Sequence, residues 1–185
     1  MNNTDSGAGD GDSGCGPRET PDAPSPSGPC PSALIGDPLH LLAFGLGSGL
    51  APRAPGTFGT LAALPLAWLV GGLSLATYSV VCLALAAIAI YVAGRAARAL
   101  RQHDHGAIVI DEVAGLLWGM WAVPPTLTNL LLAFALFRFF DIVKPWPIGW
   151  VDRNTRGGFG IVADDLLAGV ATAASLNALN AVVMI

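Results

Sequence analysis

Charge is what this chain has least of. Only 12% of its 185 residues are Asp, Glu, Lys or Arg, against about 25% in a typical soluble domain. A surface so poor in ionised groups argues against a freely soluble enzyme and against a nucleic-acid binder, which needs a basic face. With 53% hydrophobic residues and a mean hydropathy of +0.59, the chain as a whole is not disordered either. Its three cysteines do not make a disulfide framework. Cys15 and Cys30 fall in a polar N-terminal stretch, and Cys82 sits in an apolar run, where it reads as packing. There is no Cys-x5-Arg loop of a cysteine phosphatase, no CxxC or zinc-type Cys/His spacing, no Walker lysine and no GxSxG. The tandem aspartates of haloacid-type phosphatases and the Pro-Ser-Gly-His lipid phosphatase motif are missing too.

What charge there is falls unevenly. Residues 1–37 hold six acids (Asp5, Asp10, Asp12, Glu19, Asp22, Asp37) against Arg18 alone, whereas residues 38–185 hold seven acids and eight bases. The first stretch is rich in Gly, Pro, Ser and Asp and has almost no large apolar side chain before Leu34. It cannot bury enough surface to offset its chain entropy, so residues 1–37 are expected to be a disordered acidic tail. They lack the basic start and apolar centre of a signal peptide. Residues 38–185 are expected to form one folded domain.

From Ala54 to Gly94 there are 41 residues without a charge. At about 1.5 Å per residue they suffice for two passes through a hydrocarbon core of about 30 Å. Gly71, Gly72 and Ser74 supply the turn, giving expected helices over residues 58–72 and 75–94. Val113–Phe137 is uncharged but broken by Pro124-Pro125, which cannot continue a helix. Two arms follow, 113–123 and 126–140. The shorter arm would reach only about 16 Å, which leaves open whether this hairpin crosses or re-enters. A last apolar helix is expected over residues 166–185. Runs of Ala and Gly in these segments permit close helix packing in lipid, and with it a homo-oligomer. Arg95, Arg98 and Arg101 follow the second helix; Arg138, Lys144, Arg153 and Arg156 follow the fourth arm. Basic loops prefer the cytoplasm. The expected fold is all-α: a compact helical bundle, polytopic in the membrane, with short or broken helices and polar loops on the cytoplasmic face. A soluble globin-like domain with a greasy surface is the alternative.

All seven acids of the domain fall at expected helix ends: Asp104, Asp111 and Glu112; Asp141 and Asp152; Asp164 and Asp165. By the parity of the crossings these ends share one face. Carboxylates beside membrane helices are costly unless paired, hydrogen-bonded or bound to a cation. Asp111, Glu112, Asp141, Asp164 and Asp165 together resemble the oxygen ligands of a hard metal such as Mg²⁺. The competing reading is N-terminal capping, because each adjacent acidic pair precedes an apolar helix. Arg138, Asp141 and Lys144 recur at a spacing of three, and a guanidinium and an ammonium among carboxylates suit a phosphate bound with a metal. An ordinary helix-end ion network is the bland alternative. Trp146 and Trp150 suit the headgroup layer.

Two glycine-rich stretches remain. The first, residues 45–60, is neither GxGxxG nor a Walker loop. Its glycines can turn amides inward, Thr57 can cap the following helix, and with Arg53 it reads either as a phosphate cradle or as a plain turn. The second, Gly157-Gly158-Phe159-Gly160, leads to Asp164-Asp165 and has the same two readings. His103, Asp104 and His105 form a polar knot, with His105 either a general base or a structural hydrogen-bonding group.

Three strings occur in order: GLGSGLAPRAPGTFGT (45–60), HDHGAIVIDEVAG (103–115) and FRFFDIVKPWPIGWVDRNTRGGFGIVADDLLAG (137–169). Together they resemble the phosphatidylglycerophosphatase A family, over about residues 38–185. The resemblance implies hydrolysis of phosphatidylglycerol phosphate to phosphatidylglycerol and inorganic phosphate, with Mg²⁺, in phospholipid synthesis. It also implies a bacterial inner-membrane location and an all-helical fold. Joined to the residue reading, it gives an expected mechanism. Asp111, Glu112, Asp141, Asp164 and Asp165 would hold one or two Mg²⁺, and water or one of Asp141, Asp164 and Asp165 would attack the phosphorus. Arg138, Lys144, Arg53 and Thr57 with the amides beside it would bind the phosphate, while His105 could deliver the proton to the leaving glycerol. The rival class is a small transporter or ion-binding membrane protein using the same carboxylates, although no ionisable residue falls in mid-span.

Overall fold

Prolines, glycines and hydroxyl side chains decide where the helices of this chain begin and end. The computed structural model describes residues 29–102 and 105–183. Most of the expected tail (residues 1–28), as well as His103 and Asp104, lies outside the described residues. Among the described residues the regular structure is helical, with no strand. The end of the expected tail is folded: Pro31–Leu34 form a 3-10 turn. Asp37 then caps α1 (Pro38–Ala43), its Oδ1 accepting from the Leu39 amide at 2.9 Å.

A second 3-10 segment, Gly45–Leu50, leads to α2 (Pro55–Val70). Pro55 presets the backbone for the first helical turn, so α2 begins three residues before the expected 58. Ser74 caps α3 (Leu75–Leu100) by accepting from the Thr77 amide at 3.3 Å. That helix runs past the expected 94, because Arg95 and Arg98 ride on it rather than ending it. It stops where Arg101 takes a left-handed conformation (φ 54°). α4 (Ile110–Gly119) is shorter than its expected arm at the far end, where residues 120–126 make the break around Pro124-Pro125. Thr126 caps α5 (Leu127–Val143), accepting from the Asn129 amide at 3.2 Å. α5 ends at Lys144, which is left-handed (φ 44°), ahead of Pro145.

A short α6 (Ile148–Asn154), absent from the sequence expectation, turns the chain back. α7 (Gly157–Val183) begins nine residues before the expected 166. The glycine cluster at its start is helical rather than a loop, since Gly158 packs against the Ile90 carbonyl and Gly94 of α3.

α7 is the axis, packing against α3, α4, α5 and α6. The remaining helices run alternately away from and back to one end. At the far end the α2–α3 turn meets the break between α4 and α5: a Cβ on Gly71 would fall 2.6 Å from the Pro125 side chain. The proline hairpin therefore reaches as deep as α2. At the near end lie the last turn of α3, the first turn of α4, the end of α5, all of α6 and the start of α7. One buried cluster, including Phe44, Val92, Ile110 and Val162, sits beneath this end. Another, including Leu116, Met120, Phe137 and Leu176, fills the bundle below it. Trp68 and Leu69 of α2 and Val80 and Leu83 of α3 point outward. Two helices, α3 and α7, are long and apolar enough to cross a membrane.

Candidate active site

Close backbone approach brings the acids together. On α4, a Cβ at Gly115 would lie 2.7 Å from the Asp165 carbonyl oxygen and 2.6 Å from the Phe137 ring; one at Gly119 would lie 3.1 Å from Thr172. Gly169 of α7 presses in turn on the Gly115 carbonyl. This crossing seats Asp111 and Glu112, in the first turn of α4, beside Asp165 of α7. One carboxylate oxygen from each of the three lies within 4.8 Å of the others. Asp111, Asp164 and Asp165 are buried, at 7%, 6% and 4% exposure. The start of α2 closes one side: a side chain at Gly56 would strike the Glu112 carboxylate and come 3.1 Å from Arg138.

Two cations complete the wall. Arg138 Nη1 is 2.6 Å from Asp141 Oδ2 and 3.9 Å from Glu112 Oε1. Lys144 Nζ donates to Asp152 Oδ1 at 2.7 Å and to Asp164 Oδ2 at 2.6 Å, tying the end of α5 to α6 and α7. These two carboxylates raise the pKa of the ammonium even though burial opposes it. The spacing of three thus resolves into two separate ion-pair groups, one on Arg138 and one on Lys144, because the left-handed Lys144 leaves the line of the helix.

The groups surround a cavity of about 260 Å³, lined by Asp111, Glu112, Asp141, Lys144, Asp152, Asp164 and Asp165 among others. Six carboxylates against Lys144 and the adjacent Arg138 leave four negative charges uncompensated when all are ionised. Burial, reinforced by Asp165 and Asp141, pushes the Glu112 carboxyl up to about 8. Glu112 Oε2 and Arg138 Nε are buried without a hydrogen-bond partner, an arrangement that costs about 1–3 kcal/mol per group unless something else binds there. Clustered hard oxygen donors, excess negative charge and an orphaned buried acceptor fit a divalent cation such as Mg²⁺.

The family model for phosphatidylglycerophosphatase A matches residues 41–180. This chain belongs to that family. It is 44% identical over 143 residues to phosphatidylglycerophosphatase A of Escherichia coli K12, covering 77% of this chain and 83% of that protein. It is 42% identical over 139 residues to phosphatidylglycerophosphatase A of Haemophilus influenzae, covering 72% and 83%. No solved structure matches it. The stretch matched by the phosphatidylglycerophosphatase A model contains every residue that lines the acid cavity.

Within this family member, the structure gathers Asp111, Glu112, Asp141, Asp164, Asp165, Arg138 and Lys144, as the sequence reading expected. Asp111 does not cap α4, whose N-cap is Val109, although one of its oxygens accepts from the Glu112 amide in the first turn at 3.1 Å. Capping fails also for Asp164 and Asp165, which lie two turns inside α7. Four expected residues are not among those lining the cavity; one of them, Arg138, stands beside it, joined to the lining residue Asp141. His105 borders a different cavity, and its Nδ1 accepts from the Ala107 amide at 3.1 Å within its own turn. Arg53 is exposed before α2. Thr57 does not cap α2: Ala54 holds that position, and the Thr57 amide bonds back to its carbonyl at 3.0 Å. Conversely, the sequence reading gave Asp152 no role in the site, and it read Gly56 as a source of phosphate-binding amides rather than as a point of close approach to Glu112. Asp152 was detectable, because a proline-flanked stop after Lys144 forces the chain to fold back with an acid eight residues on.

Proposed function

We infer that this chain is a phosphatase that converts phosphatidylglycerol phosphate to phosphatidylglycerol and inorganic phosphate in phospholipid synthesis, and we propose that it does so in the acid cavity with Mg²⁺. Family membership supports the substrate; the convergence of carboxylates from α4 and α7 with Glu112 Oε2 left unpaired is the observation that carries the site. Asp111, Glu112 and Asp165 would hold the ion, with Asp141 beside them. Bound there, Mg²⁺ would neutralise phosphoryl oxygens and act as a Lewis acid.

The protein's own groups supply the rest. Arg138, paired with Asp141 beside the cavity and with its Nε buried and unbonded, would stabilise the developing negative charge, and Lys144 in the cavity wall would add a second cation. Asp164, outside the trio and held by Lys144, takes a proton from the attacking water. The departing glycerol oxygen needs one proton, and Asp164 returns it. Gly56 lets the first turn of α2 approach closely enough to exclude bulk water from Glu112. Charge neutralisation at a phosphoryl group is the chemistry this wall favours.

The bundle places the site at one end, and the basic residues Arg95, Arg98, Arg101, Arg153 and Arg156 lie at that same end. By the positive-inside preference, the site faces the cytoplasm of a multi-pass inner-membrane protein. Acyl chains would stay in the bilayer against the outward apolar side chains of α2 and α3. The experiment that tests this reading follows lipid product by mass spectrometry in mixed micelles with Mg²⁺. Conversion of phosphatidylglycerol phosphate to phosphatidylglycerol is expected; folded protein that yields no phosphatidylglycerol would sink the reading.

A further inference from the structure

A second cavity, of about 490 Å³, lies on the other side of Gly106, and that residue lines both. Its walls come from Pro31 and Ser32, from residues 49–52, from Pro55, and from residues 105–107. The two cavities differ in charge. The first is walled by six carboxylates; none of the second's lining residues is acidic. Its polar side chains are donors, the Ser32 hydroxyl and the His105 imidazole. Because His105 Nδ1 accepts from the Ala107 amide at 3.1 Å, the proton of the neutral ring sits on Nε2, which has no bonding partner among the described residues. Arg53 follows Pro52 at the rim.

The substrate poses a problem that this pairing answers. Its headgroup carries two anions, the phosphomonoester to be cleaved and the phosphodiester joining glycerol to the lipid, a glycerol apart. The acid cavity can neutralise the first with its cation and two bases. A second anion there would meet carboxylates. Gly106, which borders both cavities, puts no side chain between them; a Cβ there would find only Pro55, at 3.7 Å.

We propose that the second cavity receives the anionic glycerol phosphodiester of the lipid headgroup, with His105 Nε2 as its donor and Ser32 at its rim. This rests on the phosphatase reading above. It gives His105 a binding role in place of general-base chemistry. It also gives the segment before the family match a function, since Ser32 lies outside residues 41–180.

The two reaction products separate the two cavities. Phosphatidylglycerol carries only the diester, and inorganic phosphate resembles only the cleaved group. Full-length protein, with His105→Ala, His105→Gln and the space-filling Ser32→Trp as variants, would be assayed on phosphatidylglycerol phosphate in mixed micelles with each product as inhibitor. His105→Ala and Ser32→Trp should raise the KM and the inhibition constant of phosphatidylglycerol about tenfold, the effect of losing one hydrogen bond to a charged group. Inhibition by inorganic phosphate should move less than twofold, and His105→Gln, which keeps an N–H donor, should recover part of the loss. Unchanged phosphatidylglycerol inhibition in both variants would overturn the proposal. So would an equal loss towards both products, or a loss confined to kcat, which would put His105 at the reacting phosphoryl group. Wild-type protein that forms no phosphatidylglycerol would instead fail the underlying phosphatase reading.

Discussion

Among the carboxylates of the cavity, Glu112 carries the plainest signature, an oxygen buried without a partner and a carboxyl held protonated near neutral pH by burial among other acids. Its value rises from an ordinary 4.5 to about 8. A raised folded-state value stabilises the metal-free protein fully below the lower number, and that contribution is lost as pH climbs through the upper one. The melting temperature of EDTA-treated protein in micelles should therefore fall between about pH 5 and pH 8, and Glu112→Gln should flatten the slope. Because a cation binds the deprotonated carboxylate, Mg²⁺ should raise the melting temperature more at pH 8 than at pH 6. An identical slope in Glu112→Gln would remove Glu112 from this account. Scarcity made the carboxylates legible: in an almost uncharged domain the acids cluster in three short polar segments, and six of them line one cavity. His105 was misplaced because a two-residue hydrogen bond to Ala107 leaves no trace in spacing or periodicity. Thr57 was misplaced because Pro55 starts α2 ahead of it, and Arg53 because it is left exposed in the turn before that start.

At the scale of elements, the site depends on how closely α4 and α7 cross. Gly115, Gly119 and Gly169 remove the side chains that would hold the two backbones apart. A valine at 115 would collide with the Asp165 carbonyl and the Phe137 ring, both under 3 Å from a Cβ there. Gly115→Val should cost about 1–3 kcal/mol of stability in denaturant titration and abolish Mg²⁺-dependent turnover by separating Asp165 from Asp111. Gly72→Ala, with open space around position 72, should be neutral within about 0.5 kcal/mol. A fully active, fully stable Gly115→Val would show that the crossing does not set the site. Helix existence was readable from uncharged runs and from the Pro124-Pro125 break. Helix ends were not, because Arg95 and Arg98 sit on an exposed helical face and the glycines at the start of α7 include Gly158, which packs on α3. Glycine reads as a loop in sequence; only packing shows that it serves a crossing.

Over the whole molecule, five helices run between two ends, one carrying nearly all the domain's charge and the other made of turns at Gly71 and Pro125 that touch. That asymmetry was legible from the sequence, and it fits catalysis at a membrane face better than transport, which needs ionisable groups at depth. With the native cysteines replaced, a cysteine at Gly72 should react with an impermeant maleimide added outside the cytoplasmic membrane, and one at Arg156 only after permeabilisation. The reverse pattern would invert the orientation. The most direct test of the central claim, that carboxylates from α4 and α7 hold the cation used in hydrolysis, is a Mg²⁺ titration of phosphate release from phosphatidylglycerol phosphate by wild type and Asp165→Asn. The account predicts no release in EDTA, a higher half-saturating Mg²⁺ in the variant, and a loss of roughly 10²–10³ in kcat, the scale of removing a charge-stabilising group. Wild-type release that persists in EDTA, or an Asp165→Asn titration that overlays the wild-type curve, would contradict it.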